Sequence, residues 1–87
     1  MKYKIFSIYD TKAGAWLDPF VSVNEAVAAR HFENGTNQEG TNLYKNPEDF
    51  TLYLIGEWDD ETGIAVSNET KKNLGMAAAY KRNQNNG

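Results

Sequence analysis

Apolar and polar positions alternate in two stretches of the chain, with a helical pattern between them. The clearest run covers residues 50–58, where Phe50, Leu52, Leu54, Gly56 and Trp58 alternate with Thr51, Tyr53, Ile55 and Glu57. A period of two predicts a strand with one face buried. That strand is expected to sit centrally, with Tyr53 on its less apolar face beside Thr51 and Glu57. Residues 2–9 are dominated by aromatic and β-branched side chains and predict a second strand, in which Lys2, Lys4, Phe6 and Ile8 share one face and Tyr3, Ile5, Ser7 and Tyr9 the other. Asp10 to Gly14 supplies a turn, and residues 15–20 can return as a strand, with Pro19 confining it to an edge or a bulge. A hairpin is the economical reading.

Ser22, Val23, Asn24 and Glu25 fit a capping box, so a helix is expected to follow and to stop near Asn34 and Gly35. Its alanines predict close approach to a sheet. Residues 35–48 are polar and contain two glycines, which reads as a long loop. The turn at residues 59–63 repeats the chemistry of residues 10–14, with an acid first and a glycine last. It predicts a second hairpin with a short return strand over residues 64–67. Residues 68–75 read as irregular, and residues 76–80 as either a helical turn or a docking strand. The expected fold is α+β: a β-hairpin, a helix and a second β-hairpin forming a small antiparallel sheet with the helix on one face. Residues 1–80 make one domain, and residues 81–87 a polar tail whose final NQNNG is expected to be disordered.

Composition narrows the functions open to such a fold. The chain has 87 residues, no cysteine and a formal net charge of −3. A domain of this size buries a modest core, and a single short helix cannot cover both faces of its sheet, so a homodimer is expected. The absence of thiols removes disulfides and thiolate metal sites, and no apolar run reaches membrane-spanning length. Charge is unevenly spread: residues 46–63 hold six of the twelve acids and no base, whereas residues 64–87 hold four bases and one acid.

His31 is the only histidine and has no cysteine to activate, so it reads as a boundary residue of the helix rather than a catalyst. Glu57, Asp59, Asp60 and Glu61 could in principle attract a hard cation, but acids crowd hairpin turns because they are solvated there. No metal, cofactor or enzymatic activity is expected. The aromatic residues are more informative, because single strands of nucleic acid are held by stacking bases on aromatic rings and by cations along the phosphates. Tyr3, Tyr9, Trp16, Tyr44 and Tyr53 are the aromatic residues open to that role, with Tyr3 and Tyr53 taken as the stacking residues of the site. Lys2, Lys4, Arg30, Lys45, Lys71, Lys72, Lys81 and Arg82 are the candidate phosphate contacts.

The opening MKYKIFSIYDTKA, the A-x-R-x-F of Ala28, Arg30 and Phe32, the run KNPEDFTLYLIGEWDDETG over residues 45–63, and Leu74-Gly75 carry a resemblance. In the same order along most of the chain, they resemble the small non-structural protein of gokushovirus-type microviruses, which are single-stranded DNA bacteriophages. Lys2, Lys4, Arg30, Phe32, Lys45, Pro47, Glu48, Asp49, Asp59, Asp60 and Gly63 match as family features. The ending departs from it, reading LGMAAAYKRNQNNG with a longer polar tail. The resemblance implies a protein of the host cytoplasm that binds single-stranded DNA in viral strand synthesis or genome packaging. The alternative is an assembly factor that contacts the phage replication protein or procapsid through the acidic turn without binding DNA.

Overall fold

The computed structural model describes residues 1–82, so the expected disorder of NQNNG lies outside the described residues. Strand β1 (Lys2–Asp10) pairs with two short strands, β2 (Ala15–Trp16) and β3 (Phe20–Ser22). Pro19 stands in the break between them, where no ladder amide is needed. Strand β4 (Phe50–Asp59) lies between β1 and β5 (Ile64–Met76), giving the antiparallel order β2-β1-β4-β5 with β3 also on β1. The expected α+β class holds, and β4 is internal as its alternation requires. The expected return strand over residues 64–67 is instead thirteen residues long, because the polar segment 68–75 continues it.

The two turns close alike. Gly14 donates to the Asp10 carbonyl and Gly63 to the Asp59 carbonyl, both at 2.8 Å and both with positive φ at the glycine. The carboxylate of Asp10 accepts from the amides of Lys12 and Ala13, and that of Asp59 from the amide of Glu61. This is the Asx chemistry that the repeated acid-to-glycine spacing predicts.

Helix α1 (Glu25–Thr36) begins two residues later than the capping box implies. Its N-cap is Asn24, whose side chain accepts from the Val27 amide at 2.8 Å. Ser22 is not available for that role because it belongs to β3, opposite Lys4. The helix also runs through Gly35 and ends with Asn37 as its C-cap. Ala28, Phe32 and Thr36 are its buried positions, one turn apart, and the small Ala28 lets it approach the sheet as expected. The loop expected over residues 35–48 contains a short helix, α2 (Asn42–Lys45), capped by Thr41, and a 3₁₀ turn (Pro47–Asp49). Helix α3 (Ala77–Tyr80) follows β5, resolving the alternative left at residues 76–80 in favour of a helical turn.

Phe6, Ala28, Phe32, Phe50, Leu52, Leu54 and Ala77 form the core between α1 and one face of the sheet, with Ile8, Phe20, Leu43, Leu74 and Tyr80 packed around it. Each large side chain buried here contributes about 1.5–3 kcal/mol. Thr36, fully buried, donates to the Phe32 carbonyl at 2.9 Å. Among the described residues no buried side-chain nitrogen or oxygen lacks a partner.

Candidate nucleic-acid interface

Along β1 the residues facing the core are Phe6 and Ile8, so alternation sends Tyr3, Ile5, Ser7 and Tyr9 to the face without the helix. Strand β4 does not keep its alternation. Its pairing with β1 passes from Phe6 opposite Leu54 to Ile5 opposite Gly56, leaving Ile55 as an extra residue. Such a bulge re-aims everything beyond it. Leu52 and Leu54 face the core, whereas Trp58 lies opposite Tyr3 on the helix-free face, their ring centroids 5.7 Å apart. Glu57, expected beside Tyr53, falls instead opposite Lys4 on the helix side.

Two aromatic clusters therefore occupy the helix-free face. One is Tyr3 with Trp58. The other is Tyr9, Trp16 and Tyr53, with Trp16 4.9 Å from Tyr9 and 5.1 Å edge-on to Tyr53. The Nζ of Lys71 lies 5.8 Å from the Trp16 ring centroid, a cation–π distance. Between the clusters, Ser7, Trp16, Leu17, Pro19, Ile55 and Lys71 line a shallow, mainly apolar hollow of about 200 Å³. Ser7, although on this face, is buried because the Leu17 carbonyl accepts its hydroxyl at 2.7 Å.

Of the residues singled out by sequence, Tyr3, Tyr9, Trp16, Tyr53 and Lys71 belong to this face, whereas Tyr44 lies on α2. Lys2 and Lys4 share a face, as expected, but it is the helix side, where Lys2 Nζ is 3.8 Å from Glu57. Interleaving tyrosines and lysines along one strand necessarily puts them on opposite faces. Lys72 reaches Glu25 on α1 at 3.0 Å. Lys81 donates to the Tyr44 carbonyl at 3.0 Å, with its ammonium 3.4 Å from that ring's centroid. Arg82 is held by Glu33 and Asn34, and its amide donates to Asn37, whose own side-chain amide donates to the Glu33 and Tyr80 carbonyls. Arg30 is exposed on α1, and Lys45 ends α2. Trp58 was not singled out for this role by sequence, because placing it on this face required knowledge of the bulge.

The acidic turn has an intramolecular partner. The Met1 ammonium donates to Asp60 at 2.7 Å and to Glu61 at 3.5 Å, and the hydrogen bond to Asp60 holds its pKa above the ordinary value. His31 packs its ring 5.5 Å from Phe20 at the edge of the core.

The chain is thus a small α+β domain whose sheet carries aromatic rings on the face without the helix. Its sequence then places it: residues 3–80 match the family described as Phage ORF5 protein, and the chain belongs to that family. It is a bacteriophage protein. No curated protein and no solved structure matches the chain. Among the described residues, no helix is long and apolar enough to cross a membrane.

Proposed function

We propose that the chain is a non-sequence-specific single-stranded DNA-binding protein of a gokushovirus-type microvirus, acting in the host cytoplasm in viral strand synthesis or genome packaging. It needs neither cofactor nor catalysis for that role. One observation carries the reading: the Ile55 bulge separates aromatic rings from carboxylates. Tyr3, Tyr9, Tyr53 and Trp58 collect on the helix-free face with Trp16 and Lys71, while Glu57 is turned to the helix side with Lys2 and Lys4. Two acids of the acidic middle, Glu57 opposite Lys4 and Asp59 opposite Lys2, thereby lie on the helix side and not on the stacking surface.

Bases stacked on these rings would be held without sequence preference, because every base has a π face. Both tryptophans of the protein lie on this surface, which makes their emission a direct reporter. Titration with an unlabelled oligothymidylate is expected to quench that emission, and added salt to reverse the quenching. Tyr53→Ala should weaken binding by roughly five- to a hundredfold, the range that loss of one stacked base implies, with the fold checked by circular dichroism. Unchanged emission and an unshifted oligonucleotide at about 20 mM salt, where electrostatic binding is strongest, would overturn the reading. A contact with the phage replication protein or procapsid through the acidic turn would then take its place.

A further inference from the structure

We infer that two copies of this chain associate edge to edge through the first half of β5, antiparallel and centred on Val66, as a continuation of the sheet. This inference stands apart from the DNA reading. The two edges of the sheet are unlike. On one side β2 and β3 have two and three residues and are broken at Pro19, which blunts that edge. On the other side β5 runs for thirteen residues, and among the described residues no strand pairs with its outer edge.

Ile64 and Val66, on the first half of that strand, are 58% and 59% exposed, the highest values among the large aliphatic side chains after Met1. The backbone there is oriented for pairing. A Cβ at Gly56 would lie 2.5 Å from the Val66 carbonyl oxygen, so that carbonyl is turned toward β4. Alternation then leaves the amides and carbonyls of Ala65 and Ser67 on the free edge. The second half of β5 is less suited, because four residues, Asn68 to Lys71, lie between the partners of Gly56 and Leu54.

Charge selects the occupant and its direction. The strand is preceded by Asp59, Asp60 and Glu61, and past its aliphatic stretch it carries Lys71 and Lys72 against the single acid Glu69. An antiparallel second copy brings each acidic turn beside the lysines of the other, whereas a parallel one sets like against like. With Val66 opposite Val66 of the second copy, Ala65 and Ser67 exchange the ladder hydrogen bonds. The interface is then isologous, and both aromatic faces point the same way.

The absence of cysteine allows a clean test. Opposed residues of a non-hydrogen-bonded pair lie about 4.5 Å apart at Cα, within disulfide range. Val66→Cys, oxidised with copper–phenanthroline in the absence of DNA, is expected to form a covalent dimer at least about tenfold faster than the exposed control Asp18→Cys, because pairing raises the local thiol concentration. Val66→Lys should keep the circular-dichroism spectrum of the wild type while shifting its sedimentation to that of a monomer. Equal cross-linking rates for the two cysteine variants, or a wild type that sediments as a monomer at about 100 µM, where even a weak small interface is populated, would overturn the inference.

Discussion

Gly56 shows how much one missing methyl group can set. Its neighbour across the ladder comes so close that any Cβ would meet the Val66 carbonyl oxygen at 2.5 Å, and that neighbour is backbone, which cannot swing aside. Gly56→Ala is therefore expected to destabilise the fold by about 1–3 kcal/mol, read as a lower urea midpoint with an unchanged slope. The alternation of residues 50–58 identified Phe50, Leu52 and Leu54 as core residues, and all three are buried. It misplaced Trp58 and Glu57, because a bulge is a property of two paired strands. Nothing about Ile55 itself marks it: a β-branched residue suits a ladder position and a bulge equally well.

At the level of elements, α1 was legible and its start was not. Ser22 and Glu25 have the spacing of a capping box, yet Ser22 is claimed by β3 through its pairing with Lys4, a contact between residues eighteen apart in sequence. Asn24 caps the helix instead. Asn24→Ala should cost about 1 kcal/mol of stability, the usual loss for a removed N-cap, while Ser22→Ala should cost under half of that. Equal losses in thermal denaturation would restore Ser22 as the cap. The length of β5 was illegible for a different reason. Its residues from Ile64 to Asn73 are exposed, so no burial pattern imposes a period on them, and only the ladder to β4 makes them a strand.

For the whole molecule, the question is which side of the sheet meets a ligand. Lys71 and Lys72 are neighbours in sequence but opposites in space, one over Trp16 and the other on Glu25 of α1. If DNA lies on the aromatic face, Lys71→Ala weakens oligonucleotide binding and lowers its salt dependence by about one counterion, whereas Lys72→Ala leaves both nearly unchanged. Equal effects of the two substitutions would place binding elsewhere. The sequence supplied the kinds of side chain this surface needs, aromatic and cationic, and named Tyr3, Tyr9, Trp16, Tyr53 and Lys71 within it. The remaining cations were attractive in the sequence because their ion partners, Glu25 for Lys72 and Glu33 for Arg82, are forty residues or more away along the chain.

The extra residue at Ile55 also bears on how this chain should be compared with its relatives. Strands usually tolerate a one-residue deletion by shortening a loop at their end. Here, removing the extra residue between Leu54 and Gly56 would instead leave Gly56 opposite Ile5, Glu57 opposite Lys4 and Trp58 opposite Tyr3, and would only regularise the ladder. Two relatives that differ by a single gap at this position can therefore share an aromatic surface, whereas a gap elsewhere in the strand sends the residues beyond it to the opposite face.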